Sequence, residues 1–287
     1  MSAVVEDPHT IKACCAAAYG SGLVELLVGE SFHPGGSALT RRLADLLDLS
    51  RNELVIDVAG GNGTSAVLLA AERGVRIRGV DLSPRLVAVA RERARDAGVG
   101  DRVRFDVGDA ERLPMGDAEG DAAICECALC TFPGKDAAAA ELARVVRPGG
   151  RVGISDVVAD RAQLPDELAT LLGRVVCIAD ALSVEGYVAL LDGAGLRTEV
   201  VERHDNALLD TVEGVSARLA VLAMALSGSV PGFDLQRAKH LVDLAREAVM
   251  GGVLGYVVLR ARVVGSEVLV DRRAPGVETA DGSHALR

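Results

Sequence analysis

The stretch ELVIDVAGGNGTSAVLLAAERG, residues 53–74, constrains the fold more than any other part of the chain. A short β-rich run ends in a glycine turn and passes directly into a helical pattern. The same alternation returns downstream. VRIRGVD leads to a helix opened by Ser83 and Pro84, VRFDVGDA leads to a loop, DAAICEC leads to a helix over 135–147, and RVGISDVV follows an RPGG turn. Strands alternating with helices of ten to fifteen residues need right-handed crossovers and a parallel sheet covered on both faces. The predicted class is therefore α/β, a doubly wound, mostly parallel seven-stranded sheet.

Ahead of this core, helices are predicted over 10–28 and 37–49, with HPGG as the turn between them. They form an N-terminal helical cap over residues 1–50. Beyond Asp160, helices are expected over 165–173, 183–194, 206–227 and 234–250, with strands at 197–204 and in GYVVLRARV. No Gly/Ser/Pro linker separates them from the sheet. One domain thus spans 51–263 with a helical insertion near 206–250 acting as a C-terminal cap, and 264–287 reads as a flexible tail.

Charge and composition remove several function classes. The net charge of −10 opposes a phosphate-neutralising nucleic-acid surface. Four Phe, three Tyr and no Trp leave little for base stacking. The longest apolar run, Leu219 to Leu226, falls far short of the ~20 residues that cross a bilayer. The N-terminus MSAVVEDPHT carries acids where an export signal carries Lys or Arg, so the chain is expected to be cytoplasmic, to bind a small molecule, and to keep its six cysteines free of a disulfide framework.

On such a sheet a ligand binds at the carboxyl ends of the strands. There stand Asp57 with the turn Val58-Ala59-Gly60-Gly61-Asn62-Gly63, then Asp81 and Leu82, then Asp109 and Ala110 in GDAERLP. The turn lacks the G-x-G-x-x-G of a pyrophosphate site, and an acid at the strand end would attract a cation instead. Asp81 suits two adjacent ribose hydroxyls, and Asp109 can accept from an adenine amino group. A nucleoside carrying a sulfonium or amine fits this set. Any one of these acids alone would more often be a helix or turn cap.

In this pattern of acid, glycine turn, acid and GDA loop, the chain resembles the class I S-adenosylmethionine-dependent methyltransferases from about Leu54 to Val158. The resemblance implies a Rossmann-like fold and S-adenosyl-L-methionine as cofactor. Ala59 stands where that family usually has its first glycine, and an ordinary φ is expected there. Tyr19 can lie over the methionine end of the cofactor or pack the first helix.

The segments ICECALCTFPGK, ARVVRPGGRVGISDVVADR and VCIADALSVEGYVALLDGAGL further resemble the arsenite methyltransferase branch. That resemblance implies that Cys127 borders the cofactor and that Cys177 is a ligand of trivalent arsenic. Further thiolates must come from Cys130, Cys127, Cys15 or Cys14, with Cys130 in its loop the freest to reach Cys177. Strand alternation places Cys125 and Cys127 on one face. Soft thiolates suit a soft metalloid, possession of a lone pair lets arsenic attack a sulfonium methyl without a base, and a thiol-conjugated acceptor is compatible. The alternative is an organic oxygen, nitrogen or carbon acceptor, with the cysteines structural and His33 or Glu126 as base. On its own His33 reads as a solvated turn residue.

Overall fold

In the computed structural model, residues 7–29, 31–170, 177–225 and 234–264 are described. Seven strands, β1 Leu54–Val58, β2 Arg76–Asp81, β3 Val103–Val107, β4 Gly120–Glu126, β5 Val146–Ala159, β6 Leu196–Arg203 and β7 Leu254–Val263, form one sheet in the order β3-β2-β1-β4-β5-β7-β6. The first five are parallel, and β7 inserts antiparallel between β5 and β6. The strand order reverses between β1 and β4. At such a switch point the loops diverge to opposite faces and leave a crevice at the carboxyl ends.

Helices cover both faces because the strands are apolar on both sides. α3 Gly36–Leu46, α4 Thr64–Arg73 and α5 Pro84–Asp96 pack one core, which includes Leu43, Leu69, Val87 and Phe105. α6 Lys135–Val145 and α7 Val184–Gly193 pack the other through Leu142, Tyr187 and Leu191. Ser83 caps α5 by accepting from the Leu86 N–H at 3.4 Å, with Pro84 opening the helix. Two long helices, α8 Asp205–Ala225 and α9 Leu235–Met250, pair with each other and close the carboxyl end of the sheet.

Several expectations need correction. The helix over 10–28 is two helices, α1 Pro8–Gly20 and α2 Leu23–Val28, because Gly22 adopts φ +80° and turns the chain. Over 165–170 the chain runs in turns and bends, not a helix, and 171–173 lie outside the described residues. The RPGG turn is absorbed into β5, which begins at Val146 and carries a register shift opposite β4 between Gly120 and Ala122. The tail from 265 onward also lies outside the described residues. Among the described residues no helix is long and apolar enough to cross a membrane.

Candidate active site

The carboxyl ends of β1, β2 and β4 open onto a cavity of about 120 Å³ lined by Tyr19, Ala59, Gly61, Asp81, Leu82, Asp109, Ala110 and Cys127, with Lys12 and Cys15 from α1. A smaller recess beside it is lined by Asp57, Ala59, Gly60, Gly61, His33, Ser65 and Glu126. Gly63 lines neither. Its φ is +76°, and a Cβ there would stand 2.7 Å from Ala90 Cβ, so this glycine serves the close packing of α4 on α5.

Asp57 is 2% exposed, and among the described residues nothing donates a hydrogen bond to its Oδ2. Burial, with Glu126 and Asp81 nearby, pushes its carboxyl well above the ordinary range. A buried acceptor without a donor costs stability unless a ligand supplies one. Gly60 leaves this carboxylate room, since a Cβ there would stand 2.5 Å from Oδ2. Asp81, 9% exposed, accepts the Gly61 N–H at 3.0 Å and the Ser83 N–H at 2.8 Å, which fixes its plane at the cavity wall. The orphaned Asp57 oxygen and the acid-lined crevice fit a cationic nucleoside.

The turn at Ala59 differs from expectation. Ala59 adopts φ +56°, in the left-handed region, where the sequence suggested an ordinary value. The turn still needs the glycine conformation although the residue is alanine.

Asp109 is already engaged. Its Oδ1 accepts the Glu111 N–H at 3.0 Å, and Lys12 Nζ reaches Oδ2 at 2.7 Å and Glu111 at 2.7 Å. Despite burial, these donors hold the Asp109 carboxyl below its usual range. Lys12 was not singled out by the sequence, because nothing local to α1 marks it as facing a loop almost a hundred residues away.

His33 is buried, 8% exposed, and not a solvated turn residue. Its Nδ1 lies 3.1 Å from the Pro34 carbonyl, to which it donates, and Nε2 lies 3.3 Å from Thr40 Oγ1. Thr40 donates to Glu126 at 3.1 Å. This His33–Thr40–Glu126 chain braces the recess from α3.

A second, larger cavity of about 240 Å³ lies under α8 and α9. Its wall is apolar apart from Glu167, Thr211, Tyr19 and the thiols of Cys127 and Cys177. Tyr19, Phe32 and Cys127 line both this chamber and the nucleoside cavity, so they form the partition between them.

The cysteines sort sharply. β4 ends at Glu126, and Cys127 then takes φ +51°, which throws it to the opposite face from Cys125. Cys125 is sealed in the α6–α7 core, so the expectation that both share a face is corrected. Cys130 sits on the short turn Leu129–Thr131, its N–H donating to Asp156 Oδ2 at 2.8 Å. Cys177, at φ +67°, places its Sγ 3.2 Å from the Cys127 carbonyl, to which the thiol donates, and 3.6 Å from Tyr19 Oη.

Hydrogen bonds from the Cys127 and Cys130 thiols, then Tyr19 and the charge of Lys135, outweigh burial and hold Cys177 well below the ordinary thiol range. The partners move the other way. The bond to Cys177 raises Cys127, and burial raises Cys130. Burial, with the Cys177 charge, pushes Asp156 up to about 7. Cys177 is therefore the first of the three to ionise. Cys15 lines the nucleoside cavity and not the chamber, and Cys14, half-buried on α1, lines neither. Among the described residues no three His, Cys, Asp or Glu side chains are arranged to close on one metal ion.

Residues 55–150 match the family model described as a methyltransferase domain. The chain is 32% identical over 262 residues to the 27-O-demethylrifamycin SV methyltransferase of Amycolatopsis mediterranei, covering 84% of this chain and 92% of that one. The chain belongs to the S-adenosylmethionine-dependent methyltransferases. S-adenosylmethionine is the cofactor that the acid-lined crevice fits. The methyltransferase also matches Methyltransferase GfsG of Streptomyces halstedii, 37% identical over 164 residues, which is 56% of this chain and 59% of that relative. An arsenite methyltransferase of Halobacterium salinarum is 33% identical over 165 residues, 55% of this chain. The chain thus spans 59% of the first of these two relatives and 41% of the second. In fold, the methyltransferase superposes on the crystal structure of a Galdieria sulphuraria protein described as a "putative sarcosine dimethylglycine methyltransferase", with TM-score 0.76 at 21% identity, covering 87% of this chain and 98% of that one.

Proposed function

We propose that this methyltransferase methylates trivalent arsenic held by Cys177 with Cys127 or Cys130. The observation that carries the reading is the meeting of three thiols, from the end of β4, the turn after it and the segment before α7, with Cys177 and Cys127 lining the chamber and Cys127 lining the nucleoside cavity as well. When bound, S-adenosylmethionine supplies an electrophilic methyl on a sulfonium. Asp57, whose Oδ2 has no donor among the described residues, and Glu126 line the recess beside the nucleoside cavity, Asp81 offers its carboxylate to ribose hydroxyls, and Asp109 with Ala110 borders the adenine end. Cys177 ionises most readily and takes the metalloid first, and Tyr19 and Cys127 set its distance from the nucleoside cavity.

An arsenic lone pair needs no base. Of the candidate bases for an organic acceptor, His33 lines only the recess and Glu126 the recess and the nucleoside cavity, while the carboxylate that lines the chamber is Glu167. The apolar chamber favours a second reading, an organic acceptor such as the named rifamycin relative implies for itself, with the cysteines as packing.

The two readings part in a panel of arsenite with glutathione against small organic hydroxyl and amine acceptors, read by mass spectrometry. The expected outcome is methylated arsenic from the native enzyme and a loss of about a hundredfold or more in Cys177→Ser, of the order seen when a reacting group's anchor is removed. Arsenite should draw first on Cys177, held below the ordinary thiol range, whereas the second As–S bond needs Cys127 or Cys130, both held above it, so activity on arsenic should rise as pH is raised through that range. Turnover of an organic acceptor that survives Cys177→Ser supports the second reading.

A further inference from the structure

We infer that Ser31 and Glu126 are specificity residues for the cofactor, and that they read its amino-acid end in the recess beside the nucleoside cavity. Glu126 takes the ammonium, and Ser31, from the segment between α2 and α3, takes the carboxylate. The chain thereby selects S-adenosylmethionine against nucleosides that lack either group. The inference is independent of the acceptor.

It starts from two unpartnered oxygens. Asp57 Oδ2 and Ser31 Oγ are both buried, both border the recess, and among the described residues neither has a hydrogen-bond partner. Buried polar atoms left in this state cost stability unless a ligand completes them. One is a carboxyl oxygen in need of a donor, and the other is a hydroxyl with a proton to give. A single ligand that satisfies both carries a donor and an acceptor close together.

The surrounding charge says which donor and which acceptor. Glu126, its side chain 5% exposed, accepts from Thr40 Oγ1 at 3.1 Å and 3.4 Å. Its ion-pair partner among the described residues is His33 Nε2 at 3.8 Å, which carries charge only when protonated. A buried carboxylate with so little compensation calls for a cation. Glu126 supplies the charge for an ammonium, and Asp57 Oδ2 supplies a further acceptor. The recess is also bordered by Thr64 and Ser65 at the start of α4, where Gly63 provides no side-chain cap. A helix N-terminus favours an anion, and the Ser31 hydroxyl adds a donor to it. A lone cation or a lone anion would match half of this lining. An ammonium and a carboxylate on one carbon match both halves.

Size and position agree. At about 40 Å³ the recess has room for roughly three water-sized groups, the scale of such a head group and far below that of a nucleoside. Phe32, Ala59, Gly61 and Glu126 border the recess and the nucleoside cavity alike, so one ligand spans the two. Ser31 lies outside the residues matched to the methyltransferase domain, 55–150, which makes the N-terminal cap part of the cofactor site. Thr40 and His33 act through Glu126 as positioning residues.

The test measures binding to the full chain by calorimetry, with no turnover. Four ligands are compared: S-adenosylhomocysteine, its decarboxylated analogue, its deaminated analogue, and methylthioadenosine, which lacks both groups. On the native chain S-adenosylhomocysteine should bind at least about tenfold tighter than either analogue missing one group, the margin of one charge-assisted hydrogen bond. Glu126→Gln should weaken S-adenosylhomocysteine and the decarboxylated analogue about tenfold and leave the deaminated one unchanged or tighter. Ser31→Ala should show the converse, weakening the two ligands that keep the carboxylate by about threefold to tenfold and sparing the decarboxylated one. Methylthioadenosine should bind native chain and variants alike, which separates lost recognition from lost folding. The order of the four ligands on the native chain needs no variant. Equal affinity of the native chain for all four overturns the inference, as does a folded variant that weakens both one-group analogues by the same factor.

Discussion

Three residues other than glycine hold left-handed backbone around the site: Ala59 at φ +56°, Cys127 at +51° and Cys177 at +67°. Each costs on the order of 1 kcal/mol in local strain, and each aims a group that an ordinary φ would turn away. Ala59 bends β1 into the turn beneath the nucleoside cavity, while Cys127 comes to the partition and Cys177 to the chamber behind it. Ala59→Gly should relieve the strain, less the added freedom of the unfolded chain, and raise stability by about 0.5–1 kcal/mol. A higher urea midpoint at unchanged slope would show this, and an unchanged midpoint would argue against strain at that turn. At this scale the acids were legible, because Asp57 and Asp81 stand at the carboxyl ends of β1 and β2 and Asp109 just past β3, places the pattern fixes. The geometry of Ala59 and Cys127 was not, since alanine and cysteine do not announce a positive φ.

At the scale of elements, the alternation of strand and helix was readable because the apolar period switches between two and three to four residues at each boundary. Helix α1 shows what was not readable. Its pattern runs on toward Val28, and only the backbone of Gly22 breaks it into α1 and α2. That break lets α1 lie across the nucleoside cavity, with Lys12 spanning to Asp109 and Glu111. The pairs are part-buried, with Lys12 at 17% exposure, so they are worth more than a solvated surface pair. Lys12→Met should loosen α1 over the cavity and raise the Kd for S-adenosylmethionine roughly threefold to tenfold, read by calorimetry. An unchanged Kd would mean that α1 is held by its packing alone.

For the whole molecule, the reversal of strand order between β1 and β4 builds the crevice, and α8 with α9 roofs it to give a second, apolar compartment. The crevice was legible from the glycine turn and its acids. The compartment was not, because it arises where α2, α8 and α9, far apart in sequence, turn apolar sides toward one another. Cys177 joins the two halves of the account, ionising readily through its neighbours and facing the chamber. The most direct test of that role is the arsenic K-edge absorption spectrum of the arsenical-loaded enzyme beside that of Cys177→Ser. A first shell of sulfur in the native protein, with at least one sulfur lost in the variant, is the predicted result. A shell of oxygen alone, or a spectrum identical in the two proteins, would contradict it.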